Sequence, residues 1–252
     1  MKELARVLYG SQNYGLDGPD SDKDYMVLLC PEYKDFYDAK KVCAEDVPIE
    51  YDREHYSPMN IIQFHNLLMK GNPNCIEMLF STEWSVSDNL LRNHLDGMKD
   101  LYRRGYVAVV WDSFYAAIRG LALNGIDRNG VNGKTVSRAY YLFWLVRQIE
   151  SDNFSINGST WRNGMPYSIK ARDIRFGNLE QERLDEIQYG IRAGFARYKQ
   201  DGHKAAIEYK NRCSHDLMLK QSKDGLDYTM RRIVGKTLYR DLKNEYGFES
   251  VL

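Results

Sequence analysis

Two aspartates separated by one residue are the first side chains in this 252-residue chain with the chemistry of a metal site. Asp22 and Asp24 stand at the start of an apolar run that predicts a strand, and alternate residues of a strand point to the same face. Carboxylate oxygens, completed by waters and substrate phosphates, are the ligands that Mg²⁺ prefers. The pair therefore indicates a site for one or two Mg²⁺ ions.

A Gly-Ser turn precedes the two aspartates. Gly10 and Ser11 follow a predicted buried strand, residues 4–9. Their backbone N–H groups and the serine hydroxyl can face a phosphate without a bulky side chain in the way. The order of strand, Gly-Ser turn, turn-rich loop and paired acids is more specific than any of its parts, and it indicates a joint site for metal and phosphate.

A third carboxylate on a neighbouring strand would complete a two-metal clamp for in-line displacement at phosphorus. Glu50, Asp52 and Glu54 alternate with other residues along a predicted third strand, residues 48–56. Period-two alternation would place all three acids on one strand face. Each of them is a candidate for the third metal ligand.

Two basic residues stand one helical turn apart at a predicted helix start. Lys134 and Arg138 would share one helix face, close to a helix N-terminus that favours anions. We expect them to contact the phosphates of a nucleotide, and the alternative is an ordinary solvated pair. Arg172 and Arg175 are weaker candidates for the same role.

Composition indicates a globular protein with a sizeable core, since 43% of the residues are hydrophobic and 13% are aromatic. The sequence has no apolar run of the length that spans a bilayer and no secretory signal pattern. Its four cysteines lack the spacing of a zinc site. We therefore expect a cytoplasmic protein with reduced thiols and no membrane association.

The charge is balanced overall but unevenly distributed along the chain. Residues 1–100 carry a net charge of −8, residues 101–190 carry +3 and residues 191–252 carry +5. An acidic first part and a basic remainder suit a metal site that faces a polyphosphate or a nucleic acid. The alternative is that long solvated helices simply carry many Lys and Arg residues.

Hydrophobic periodicity predicts an α+β fold. A small mixed β-sheet core is expected over residues 1–85, followed by an all-helical unit over residues 86–252. One helix is predicted from Ser57 as N-cap to Gly71, and a short apolar segment follows at residues 75–80. The segment 151–178 is predicted to be irregular. Later helices are predicted at 88–102, 106–123, 134–150, 180–199, 203–221 and 226–244.

A family resemblance rests on the run L-Y-G-S-Q-N-Y-G-L-D-G-P-D-S-D-K-D-Y-M-V-L, residues 8–28. This run resembles the signature of the DNA polymerase β-like nucleotidyltransferase superfamily, and most of all its RNA-repair-pathway polymerase-β family from bacteria and phages. Shorter similarities follow in the N-P turn and E-hydrophobic run of residues 72–80, the Lys-led helix from Lys134 and the I-R-x-G element of residues 174–177. The resemblance spans roughly residues 4–180.

The resemblance implies a role for each matched residue. Gly10 and Ser11 match the element that binds the triphosphate, and Asp22 and Asp24 match the pair that binds divalent metal. Asp52 is the best match to the third acid, with Glu50 and Glu54 still open.

The resemblance also implies an activity. The chain would be a nucleotidyltransferase that transfers a nucleoside monophosphate from an NTP such as ATP to an acceptor hydroxyl and releases pyrophosphate. Two Mg²⁺ ions are the expected cofactors, with Mn²⁺ as a substitute. The expected acceptor is an RNA end, such as that of a tRNA, and the alternative acceptors are a protein side chain or a small molecule. A different class of function, a non-catalytic nucleotide- or RNA-binding module, is the remaining alternative.

Overall fold

The computed structural model describes residues 2–13, 15–30, 50–51, 53–158, 160, 166–212 and 215–246. Its described strands are β1 (Lys2–Tyr9), β2 (Lys23–Cys30), β3 (Glu50–Tyr51), β4 (Glu54–Asn60) and β5 (Trp84–Val86). They form one mixed sheet in the order β3-β4-β2-β1-β5. Strand β2 pairs antiparallel with β1 and parallel with β4, β5 pairs antiparallel with β1, and β3 pairs antiparallel with β4.

Helices make up most of the remaining described chain, which confirms the predicted α+β class with strands first and helices after them. They are α1 (Ile61–Met69), α2 (Pro73–Leu79), α3 (Asn89–Arg103), α4 (Tyr106–Val109), α5 (Trp111–Asn129), α6 (Gly133–Ser151), α7 (Pro166–Phe176), α8 (Gln181–Arg212) and α9 (His215–Tyr246). Among the described helices, none has an apolar stretch long enough to cross a bilayer.

The predicted third strand, residues 48–56, is wrong in its layout. The structure divides this segment into a hairpin, with Tyr51 of β3 paired to Glu54 of β4. Arg53 in the turn has φ of 69°, a left-handed conformation that a non-glycine residue seldom adopts. Residues 48, 49 and 52 lie outside the described part of the chain.

The predicted N-cap of the first helix is also wrong. Ser57 and Pro58 belong to β4, where they pair with Met26 and Val27 of β2. Helix α1 begins at Ile61, after Asn60, whose side chain accepts the Ile62 N–H at 2.8 Å. The parallel pairing with β2 therefore overrides the local helix-start signal. The predicted helix end at Gly71 is confirmed by its φ of +74°.

The apolar segment 75–80, for which the sequence analysis named no element, is largely helix α2, which Asn72 caps through its side chain. Two further segments differ from the prediction. The segment 151–178 contains helix α7. Helix α8 runs unbroken through Gly202, although the sequence predicts two helices there. A Cβ at residue 202 would lie 2.7 Å from the ring of Trp111, so this glycine serves close helix packing rather than a chain break.

One connected hydrophobic core extends from the sheet into the helices. It contains Leu28 of β2, Ile76 of α2, Phe114 of α5, Tyr141 of α6 and Phe195 of α8, all buried. The core thus includes residues from both sides of the predicted boundary near residue 85, which itself stays a prediction. Helices α2, α6 and α7 contribute the side chains that face the end of β1 and the start of β2.

Candidate active site

The register of the sheet places the start of β2 beside the end of β1 and the start of β4. Asp24 pairs with Tyr9, the last residue of β1, and with His55 near the start of β4. His55 in turn pairs with Glu50 of β3. Paired positions lie side by side across a sheet, so Asp24 is flanked by an aromatic ring on one strand and an imidazole on the other.

The Gly-Ser turn packs directly against Asp24. Gly10 follows Tyr9 and opens a short 3₁₀ turn that ends at Gln12. Its φ is +84°, and a Cβ at this position would lie 3.1 Å from Oδ2 of Asp24. Both the backbone conformation and the close approach require glycine here.

Glu77 of α2 supports this turn through hydrogen bonds. Its carboxylate accepts the backbone N–H of Gly10 at 2.7 Å and the side-chain amide of Asn13 at 3.2 Å. Asn13 also donates to the carbonyl of Leu8 at 2.9 Å, and its amide oxygen accepts the hydroxyl of Ser81 at 3.0 Å. The turn is therefore tied to β1 and α2 by a network of side-chain hydrogen bonds.

The environment of Glu77 disfavours its charged form. Only 6% of the residue is exposed, and burial raises the pKa of its carboxyl to about 7, against the opposing effects of the Gly10 and Asn13 hydrogen bonds and the Arg138 charge. The Gly10 N–H group donates to this carboxyl group. Contrary to the sequence prediction, the Gly10 N–H group is therefore not free to bind a phosphate.

A cavity of about 270 Å³ lies next to the Gly-Ser turn. It brings Gly10, Ser11 and Asp24 together with Lys134 and Arg138, although the two groups are more than a hundred residues apart in the chain. Its lining comprises Tyr9, Gly10, Ser11, Leu16, Asp24, Asn74, Glu77, Lys134, Arg138 and Arg175. Three cationic residues therefore line the same cavity as Asp24.

Local packing explains how the cationic side chains reach this cavity. Helix α6 begins with a capping box, in which Asn132 and Thr135 exchange side-chain and backbone hydrogen bonds. A Cβ on Gly133 would lie 3.1 Å from the backbone oxygen of Arg175, so the start of α6 abuts the end of α7. Lys134 and Arg175 consequently enter the site from two adjoining helix ends.

Asp22 lies just outside this cavity and next to His55. Its Oδ2 is 3.8 Å from Nε2 of His55, and Oδ1 of Asp24 is 3.8 Å from Nδ1 of the same ring. Partial burial raises the pKa of the Asp24 carboxyl, Asp22 raises it further, and the charges of His55 and Lys134 oppose the increase. The two predicted metal-binding carboxylates are thus close to one imidazole.

The three candidates for the third carboxylate have different outcomes. Glu54 lies on the opposite sheet face from Asp24, since its carboxylate accepts the Tyr56 hydroxyl and Tyr56 stacks on Tyr25. The expected common face of the three acids is therefore wrong for this residue. Asp52 lies outside the described residues, and Glu50 is described by its backbone position beside His55.

The two aspartates fit a Mg²⁺ site that is completed by substrate. Mg²⁺ commonly keeps several waters and takes one or two protein carboxylates together with phosphate oxygens. In the described part of the chain, no three or more His, Cys, Asp or Glu side chains form a complete metal-binding group. The donor set of Asp22 and Asp24 therefore suits a cation that arrives with a polyphosphate.

Neither His55 nor Glu77 was among the site residues predicted from the sequence. Glu77 is the buried support of the Gly-Ser turn, and the apolar run around it, residues 75–80, was the available signal. For His55 no local signal was available, because its place beside Asp24 depends on the hairpin that bends at Arg53. Arg175, a weaker candidate in the sequence, lines the cavity.

Comparison of the chain with models of protein families, with curated proteins and with solved structures gives no significant match.

Proposed function

We propose that this protein is a metal-dependent nucleotidyltransferase that transfers a nucleoside monophosphate from an NTP to an acceptor hydroxyl and releases pyrophosphate. The observation that carries the proposal is the shared cavity, which Asp24 lines together with Lys134, Arg138 and Arg175. A carboxylate for a cation and several basic groups for phosphates are the two requirements of a metal–triphosphate complex.

The cationic side chains are proposed to bind the phosphates. Lys134 and Arg138 lie one turn apart at the start of α6, and Arg175 joins them from α7. Guanidinium groups bind phosphate oxygens through two parallel hydrogen bonds, which fixes orientation as well as charge. Ser11, which lines the same cavity, adds a hydroxyl. Together these groups would orient the β- and γ-phosphates as the leaving group.

Asp22 and Asp24 are proposed to hold the divalent cations, Mg²⁺ or Mn²⁺. Cations bound there would polarise the α-phosphate and activate the attacking hydroxyl. His55, 3.8 Å from each carboxylate, is proposed to hold the two aspartates in position. The predicted third carboxylate, Asp52, lies outside the described residues and stays a prediction.

We further propose an RNA end as the acceptor. The support is the family resemblance of residues 8–28 and the net positive charge of residues 101–252. Protein side chains and small molecules are the competing acceptors. A nucleotide-binding module without activity would bind NTP with Mg²⁺ but transfer nothing.

Label transfer tests the proposed function. The full chain is incubated with each of the four α-³²P NTPs, Mg²⁺, and separated cellular RNA, protein or metabolite fractions. Label in the RNA fraction, lost in the Asp22→Asn/Asp24→Asn double variant, is the expected result. The matched control is Asp20→Asn, which removes a 92% exposed carboxylate from the same loop and should leave transfer unchanged. Transfer that persists in the double variant would refute the metal role of these residues.

A further inference from the structure

Phe176, the last residue of α7, is an aromatic side chain that the core does not use. It is 44% exposed, and its place in the chain corresponds to the variable position of the I-R-x-G element. Large aromatic rings at a helix end normally pack inward, since burial removes their apolar surface from water. This ring instead remains at the surface beside the candidate active site.

Two arginines flank the ring. The guanidinium carbons of Arg172 and Arg175 each lie 5.3 Å from the ring centroid of Phe176, within the range of cation–π contacts. Arg172 also donates to the backbone carbonyls of Gly15 and Asp17, so it is fixed to the loop that leads to Asp22. The ring therefore has two cationic neighbours, of which Arg172 is held by hydrogen bonds to the loop.

The exposed ring borders a cavity of about 420 Å³ next to the proposed phosphate site. The cavity is lined by Gly18, Pro19, Arg172, Asp173, Phe176 and Gly177. A Cβ on Gly18 would be only 3.5 Å from the ring, so the loop before Asp22 touches its edge. Arg175 connects the two cavities, because it lines the first and contacts the ring in the second.

We propose that Phe176 is a stacking surface for the nucleobase of the NTP whose phosphates occupy the neighbouring cavity, an inference that rests on the proposed function. A flat aromatic face with cationic neighbours matches a ligand that carries both a π-system and negative charge. The link through Arg175 favours the NTP over the acceptor. A nucleotide held by Arg175 at its phosphates places its sugar and base beyond that residue, where the ring is exposed.

Equilibrium binding separates the contribution of the base from that of the phosphates. Calorimetry in the presence of Mg²⁺ compares the four NTPs with inorganic tripolyphosphate, which has no base. The variants are Phe176→Leu, which removes the aromatic ring, and Phe176→Tyr, which keeps it. Tyr189→Leu is the matched control, because Tyr189 is a 73% exposed aromatic residue of α8 that lines neither cavity. Circular dichroism checks that each variant is folded.

Phe176→Leu should weaken the best-bound NTP by about 5- to 150-fold, the range for loss of one base–aromatic stack. It should change tripolyphosphate binding less than twofold, while Phe176→Tyr and Tyr189→Leu retain NTP affinity. Equal loss for NTP and tripolyphosphate, or no loss for either, would overturn the stacking role alone. A single-stranded oligoribonucleotide is titrated as well. If Phe176→Leu weakens its binding but leaves NTP affinity unchanged, the ring binds the acceptor and not the NTP. Wild-type protein that binds no NTP would refute the proposed function itself.

Discussion

The carboxylate of Glu77 accepts the backbone N–H of Gly10 at 2.7 Å, across 67 residues of sequence. This bond joins α2 to the turn that packs against Asp24, so the position of a candidate metal ligand depends on a buried acid in another element. Burial raises the pKa of that acid to about 7. The support of the turn is therefore sensitive to pH as well as to packing.

Titration of Glu77 should make stability fall with rising pH. Its pKa is raised from 4.5 to about 7 in the folded protein, so the folded state binds more protons than the unfolded state between these values. The free energy of unfolding of the wild type, relative to Glu77→Gln, should drop by about 3 kcal/mol over this interval. Urea unfolding without metal or nucleotide measures it. The same pH dependence in both proteins would contradict the assignment, and the exposed Glu182→Gln provides a control.

Replacing Gly10 by alanine should damage the site. The substitution forces a left-handed backbone on a residue with a Cβ, at a cost of about 1–2 kcal/mol. It also places the new Cβ 3.1 Å from Oδ2 of Asp24. We expect a large loss of nucleotidyl transfer together with a modest loss of thermal stability. Gly125→Ala is the control, since nothing lies within 4 Å of a Cβ there and the helix should gain up to about 1 kcal/mol. Full activity of Gly10→Ala would show that the contact with Asp24 is unimportant.

Arg172 should be a positioning residue for the loop that precedes Asp22. It donates to the carbonyls of Gly15 and Asp17, and hydrogen bonds from a charged donor contribute about 1.5–3 kcal/mol. Arg172→Ala should therefore speed hydrogen exchange in residues 15–22 by about tenfold or more. Arg183→Ala removes an exposed ion pair with Glu186 and should change little. Unchanged exchange in the loop would mean that it is held by other contacts.

His55 should govern the affinity for Mg²⁺. An aspartate at this position would add a negative oxygen donor next to Asp22 and Asp24, whose oxygens lie 3.8 Å from the present ring. His55→Asp should lower the half-saturating Mg²⁺ concentration by about tenfold or more, since two unit charges about 4 Å apart attract by about 1 kcal/mol in water and about 4 kcal/mol near a protein surface. Magnesium titration of label transfer measures this. His55→Asn, a neutral replacement, should not tighten binding, and an unaltered Mg²⁺ requirement in His55→Asp would place the cations elsewhere.

Short-range sequence features predicted the parts of the fold that depend on local structure. The spacing of Lys134 and Arg138 predicted a common helix face, and both line one cavity. The fold class followed from the early apolar strands and the later helical periodicity. Gly71 ended a helix because its φ of +74° is a local requirement that glycine meets.

Tertiary contacts decided the remainder. Ser57 and Pro58 look like a helix start but are held in β4 by pairing with β2. Gly202 looks like a break but allows α8 to approach Trp111. The left-handed turn at Arg53 changes which residue lies beside Asp24, and no local signal at an arginine announces such a turn. The hydrogen bond between Gly10 and Glu77 likewise forms only when α2 packs against β1.

The most direct test of the nucleotidyltransferase proposal compares two labels in one substrate. The wild-type chain is incubated with Mg²⁺, cellular RNA and the same NTP labelled with ³²P either in the α-phosphate or in the γ-phosphate. The proposed displacement at the α-phosphorus, in the cavity that Asp24 shares with Lys134 and Arg138, predicts that the α label enters RNA and the γ label leaves as pyrophosphate. Transfer of the γ label to the acceptor, or hydrolysis without transfer of either label, would contradict the proposed nucleotidyl transfer.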